Sequence, residues 1–159
     1  TIGRQVASRL GQAFVELDER IARIADLNLA EIFALHGEGY YRKLEREALA
    51  DISASGSPQV VATGGGIVTD AENFGRLRDS AITIWLRARP EDHWDRVIQQ
   101  GDRRPMRDHP HAMSELRTLL NTRSPLYGQA DHIVDTSGRS VEDVTDEICE
   151  IFGGILHVG

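Results

Sequence analysis

At 159 residues with 40% hydrophobic content, the chain has the size and composition of one compact domain with a packed core. A formal charge of −7 excludes a general grip on a nucleic-acid backbone, which needs a net basic face, and no apolar run reaches the length of a membrane span. With a single cysteine and no basic, apolar leader, the sequence fits a cytoplasmic protein that itself binds neither nucleic acid nor membrane.

Ile2, Val6, Ala7 and Leu10 recur at helical spacing and Gly11 follows as a C-terminal cap, so the chain opens inside a helix and points to further chain upstream. Ala13 to Leu17 suits a buried strand, ending at Asp18, a candidate N-cap for the helix that carries Ile21, Ile24 and Ala25. Two more helical stripes follow: Leu29, Ile32 and Phe33, then Tyr41, Leu44, Ala48 and Leu49, with a break at Gly37 and Gly39. Gln59 to Thr63 forms the second strand and Ala81 to Leu86 the third, after which Pro90 suits the first turn of a helix running to about Gln99. Gly101 to His111 is polar, with two prolines and three arginines, and has the composition of a mobile loop. Beyond it come a helix from about Ala112 to Arg123, a short strand at His132 to Val134, and a closing helix striped by Val141, Val144, Ile148 and Ile151. In that last helix Cys149 lies beside Ile148 and Ile151, the setting of a buried structural thiol.

Strands alternating with helices predict an α/β fold, a parallel sheet covered on both faces, with ligands at the carboxyl ends of the strands. Four clusters fall at such places: Glu16 with Asp18, the run Gly64-Gly65-Gly66, the loop around Arg104, and Arg123 shortly before Pro125. Three residues without side chains let backbone N–H groups approach an anion or a hydroxyl-rich ring, although a tight turn needs the same glycines. Asp18 suits a proton acceptor or simply an N-cap, and single arginines often do no more than solvate a surface. Lys43 is the only lysine, so almost every cation is an arginine, whose planar fork suits carboxylates and phosphates. His36, His93, His109 and His111 have no partners at metal-ligand spacing.

Taken in order, Thr1-Ile2-Gly3-Arg4, Phe14-Val15-Glu16-Leu17-Asp18, Gly37-Glu38 with Tyr41-Arg42 and Glu45, Thr63-Gly64-Gly65-Gly66, Arg104-Pro105, Arg123-Ser124-Pro125-Leu126-Tyr127 and Val134-Asp135-Thr136 resemble the shikimate kinase family along nearly the whole chain. The resemblance implies a three-layer α/β/α P-loop kinase fold and transfer of a phosphoryl group from ATP, with Mg2+, to the 3-hydroxyl of shikimate in aromatic amino-acid biosynthesis. It makes Asp18 the residue that binds the substrate hydroxyls and takes a proton, and Arg42 and Arg123 the pair that clamps the substrate carboxylate. Gly64, Gly65 and Gly66 would contact the substrate ring, and Glu45, three residues beyond Arg42, would hold its fork. Residues 101–111 become a lid whose Arg104 reaches the nucleotide phosphates, Thr1 a phosphate-binding N–H, and Arg139 a residue beside the nucleotide. Glu16 would attract magnesium through water.

Thr1 matches the position just after the GK-S of a phosphate-binding loop, so the resemblance places that loop, its lysine and the first strand upstream; mid-helix Lys43 cannot replace the lysine. Glu16-Leu17-Asp18 stands where the family carries Asp-x-Asp, and Gly101-Asp102-Arg103-Arg104-Pro105-Met106 departs from its usual lid. That lid resembles the shikimate-kinase-like domain of helix-turn-helix regulators of aromatic catabolism, which implies an alternative: a sensor of aromatic acyl-CoA fused to an upstream DNA-binding domain.

Overall fold

The computed structural model describes residues 2–93 and 112–158, with side chains described as far as residue 152. Thr1, the region 94–111 and therefore Arg104 with the predicted lid lie outside the described residues. The chain divides into two compact units, residues 1–82 with 141–159, and residues 83–140.

The first unit begins with helix α1 (Ile2–Leu10), ended by Gly11 at φ 66, a conformation glycine adopts without penalty. Gly3 in α1 is a packing requirement, since a Cβ there would lie 2.7 Å from the Phe14 ring. Strand β1 (Ala13–Glu16) runs straight into helix α2 (Leu17–Ala25). Leu17 is thus the first residue of the helix, and Asp18, the predicted N-cap, lies in its first turn two positions beyond the actual N-cap, Glu16, whose side chain makes no capping bond. Leu17 is fully buried, and burial makes a strand end and a helix start look alike in sequence.

Helix α3 (Leu29–Ala54) starts with a capping box, Asn28 accepting from the Glu31 N–H while the Glu31 carboxylate accepts from the Asn28 N–H. It is broken at Gly37, whose φ of 81 and ψ of 177 belong to backbone that only glycine enters cheaply. Gly39, by contrast, is helical. The break lets the second half of α3 take its own direction and present Tyr41, Arg42 and Glu45 together. Strand β2 (Gln59–Ala62) pairs in parallel with β1, from Ala13 opposite Gln59 to Glu16 opposite Ala62. A short 3-10 turn (Gly65–Thr69) and helix α4 (Ala71–Ser80), capped by Asp70, follow. The core of this unit gathers Val6, Val15, Leu17, Ile21, Ile32, Leu44, Ala48 and Phe74, with Val144 and Ile148 from the closing helix α6 (Val141–Val158), which packs on α1. Cys149 on α6 is half-buried rather than buried, on the flank of the stripe formed by Val144 and Ile148.

In the second unit, β3 (Ile84–Arg87) starts later than the predicted Ala81, because Ala81 caps the end of α4. Residues 90–93 are helical. Helix α5 (Ala112–Tyr127) continues through Pro125, past the predicted end at Arg123, and β4 (His132–Asp135) pairs in parallel with β3. The four strands are hydrogen-bonded as two parallel pairs, so among the described residues each strand has one strand neighbour. The fold class is α/β, as the alternation predicts.

Candidate functional site

The parallel register puts the carboxyl ends of β1 and β2 side by side, which brings the first turn of α2 next to the glycine run. Asp18 and Gly64 meet there: a Cβ on Gly64 would sit 3.4 Å from Asp18 Oδ2. The other oxygen, Oδ1, accepts a hydrogen bond of 2.7 Å from the Tyr41 hydroxyl. Burial pushes the Tyr41 phenol well above its ordinary range, and the neighbouring Asp18 adds to the rise, so Tyr41 stays protonated and donates. Oδ2 accepts no hydrogen bond among the described residues. One face of this carboxylate is held and the other is open above a residue with no side chain.

Arg42, one position beyond Tyr41, ties α3 to the glycine turn. Its Nη1 donates to both oxygens of Glu45, at 3.0 and 3.2 Å, and its Nη2 donates to the Gly66 carbonyl at 3.1 Å, to Thr69 Oγ1 at 3.2 Å and to Glu38 at 3.4 Å. Burial works against the charge on Arg42, but the hydrogen bond and charge of Glu45 outweigh it and hold the guanidinium above its ordinary value. Nε has no partner among the described residues and remains a donor for a ligand.

Glu45 is itself 2% exposed, a buried carboxylate that needs more than one partner. Asn73, fully buried on α4, supplies the second: its Nδ2 donates to Glu45 Oε1 at 2.9 Å and to the Arg42 carbonyl at 3.1 Å. Its Oδ1 accepts from Arg46 Nε at 3.3 Å, and Arg46 in turn pairs with Glu72. Asp70 places Asn73 by capping α4 at the Asn73 N–H. Neither Asn73 nor Thr69 was a sequence candidate, since an isolated asparagine or threonine carries no signal that it is buried or bonded.

The structure therefore brings together Asp18, Arg42, Gly64 and Gly66, with Gly65 in the same turn. Glu16 lies exposed at the end of β1, its carboxylate without a described partner. Arg123 and Arg139 belong to the second unit. Arg123 is half-buried on α5, while Arg139 closes a turn in which Gly138 takes φ 70, its Nη1 donating to the Asp135 carbonyl at 2.9 Å. Among the described residues no cluster of three or more His, Cys, Asp or Glu could hold a metal ion, and no helix is long and apolar enough to cross a membrane.

Polar groups at the carboxyl ends of short parallel strands define an α/β small-molecule site, and solved structures give the class its name. A shikimate kinase from Acinetobacter baumannii, in complex with shikimate, superposes with a TM-score of 0.85 at 28% identity, over 96% of this chain and 85% of that one. The shikimate kinase of Aquifex aeolicus matches with a TM-score of 0.77 at 26% identity, over 99% and 90%. The fold is that of the P-loop kinases. In sequence, the shikimate kinase family pattern matches residues 1–152. A shikimate kinase from Symbiobacterium thermophilum is 43% identical over 94% of this chain and 86% of its own length, and one from Caldanaerobacter subterraneus subsp. tengcongensis is 36% identical over 96% and 88%. The chain belongs to the shikimate kinase family.

Proposed function

We propose that residues 1–159 form one kinase domain that transfers the γ-phosphoryl group of ATP to the 3-hydroxyl of shikimate. The observation that carries this reading is the half-held carboxylate of Asp18, open above Gly64 in the same cluster as Arg42. Phosphoryl transfer demands little covalent chemistry of the protein and much positioning, so a fixed acceptor for the hydroxyl proton and a fixed cation for the substrate carboxylate are the parts required. Asp18 orients the attacking hydroxyl and takes its proton. Arg42 meets the carboxylate with its remaining donors, while Glu45, Thr69 and the Gly66 carbonyl keep its plane from turning. The glycines let the sugar-like ring approach the backbone.

Other roles rest on the sequence resemblance: Arg123 for the substrate carboxylate, Arg104 and Thr1 for the phosphates, Arg139 for the nucleotide. Glu16 suits magnesium, which favours oxygen ligands and often takes one carboxylate through water along with the substrate phosphates. When bound, the ion neutralises charge on those phosphates. The relatives that match over most of their length bear the kinase name, which favours catalysis over the acyl-CoA sensor.

The test is shikimate-dependent ADP release by the complete polypeptide and by its Asp18→Asn variant. Turnover with shikimate is expected, with a fall on the order of 10²-fold or more in Asp18→Asn while ATP binding is retained. Tight binding of an aromatic acyl-CoA with no shikimate turnover would overturn the kinase reading.

A further inference from the structure

Tyr41 touches the reacting carboxylate yet has no task in the scheme above. It is 7% exposed, and its hydroxyl is spent on Asp18. Phe33 lies against its ring at a centroid distance of 4.8 Å, and the Arg42 guanidinium sits 5.2 Å from its centroid. A ring wedged in this way can move its hydroxyl little, whereas Asp18, half-exposed in the first turn of α2, has no other described partner to fix its rotamer. An aspartate with two free oxygens can offer either one and can swing away from a substrate. With Oδ1 anchored, the plane of the carboxylate is set and Oδ2 is the oxygen that remains. Gly64 is what leaves room in front of it, since any side chain there would begin at contact distance from Oδ2.

We propose that Tyr41 is a positioning residue that divides the work between the oxygens of Asp18: the phenol holds Oδ1 so that Oδ2, above Gly64, receives the proton of the substrate hydroxyl. In the step itself the substrate O–H bond breaks with its proton passing to Oδ2. The freed oxygen forms a bond to the γ-phosphorus, and the bond between that phosphorus and the bridging oxygen breaks with its electron pair leaving on ADP. Tyr41 keeps its proton throughout and exchanges nothing. This inference rests on the reading of Asp18 as proton acceptor, and its test separates the two.

Tyr41→Phe, Asp18→Asn and the double variant are compared in the complete polypeptide by kcat, by KM for ATP and by melting temperature. Tyr41→Phe keeps the ring packing, so it should melt near the wild type and keep its KM for ATP within about twofold, while kcat falls roughly tenfold, the scale of a hydrogen bond to a charged group. In the Asp18→Asn background the same change should cost nothing further, because an interaction that works through one partner disappears with it. A kcat for Tyr41→Phe within about twofold of wild type, alongside a collapsed Asp18→Asn, would refute the role of Tyr41 and leave Asp18 in place. A further loss in the double variant as large as in the single one would also refute it, by showing that Tyr41 acts independently of Asp18. Turnover retained in Asp18→Asn would remove the acceptor reading and this inference together.

Discussion

Two pairs of parallel strands in this chain end in opposite ways. At the carboxyl ends of β3 and β4, the facing residues Arg87 and Asp135 satisfy each other, with Nε to Oδ1 at 2.6 Å and Nη2 to Oδ2 at 3.0 Å, and the pair is exposed. The hydrogen bond from Arg87 holds the Asp135 carboxyl below its usual range, and Thr136 returns its N–H and hydroxyl to the Arg87 carbonyl. At the ends of β1 and β2 the charged groups are instead held by residues behind them. Asp18 is fixed by Tyr41, Arg42 by Glu45, and Glu45 by Asn73, which leaves one carboxylate oxygen and one guanidinium nitrogen without a partner among the described residues. Charges that close on each other make structure, and charges braced from behind are available for a ligand.

This contrast can be broken first through the bracing. Glu45→Ala leaves Arg42 without its buried partner and strips Asn73 of an acceptor, so it should destabilise the fold by about 3–5 kcal/mol, the cost typical of orphaning one member of a buried pair. Denaturant titration reads this, and a change under ~1 kcal/mol would mean that the Arg42–Glu45–Asn73 network is not the brace its geometry describes. Arg87→Ala should barely move the same curve, since exposed pairs contribute little.

A smaller effect sharpens the comparison at alkaline pH. The folded-state value for Tyr41 lies above the ordinary phenol value of about 10, so above that pH the unfolded chain releases a proton that the folded chain keeps. The stability Tyr41 contributes is complete below pH ~10 and declines as the pH rises beyond it. Wild type and Tyr41→Phe, which melt close together at neutral pH, should therefore separate above pH ~10, the wild type melting at the lower temperature, and curves that stay parallel would contradict the buried, hydrogen-bonded phenol.

The strands, the helix break at Gly37 and the glycine run were legible in sequence because apolar period and glycine chemistry are local signals. Helix α4 was not: Ala71–Ser80 buries only Asn73 and Phe74, which is too little apolar stripe to mark a helix. Of the bracing, only Glu45 was legible, three residues beyond Arg42 on the same helix; the rest has no local signal. Asn73 becomes meaningful only when α4 folds against α3, and Tyr41 in sequence is one more member of a hydrophobic stripe, its hydroxyl finding Asp18 across a separation of 23 residues. Position after the strands marked Asp18 and Gly64 to Gly66, the family resemblance added Arg42 with Glu45 beside it, and the folded structure supplied Tyr41 and Asn73.

The most direct measurement is calorimetric titration of shikimate into wild type, Arg42→Lys and Arg87→Ala. Lysine keeps the charge of Arg42 but loses the planar fork. If the braced edge holds the substrate carboxylate, Arg42→Lys weakens binding about tenfold or more while Arg87→Ala binds as wild type does. Equal affinities for wild type and Arg42→Lys, or a loss confined to Arg87→Ala, would contradict the placement of the site at the ends of β1 and β2.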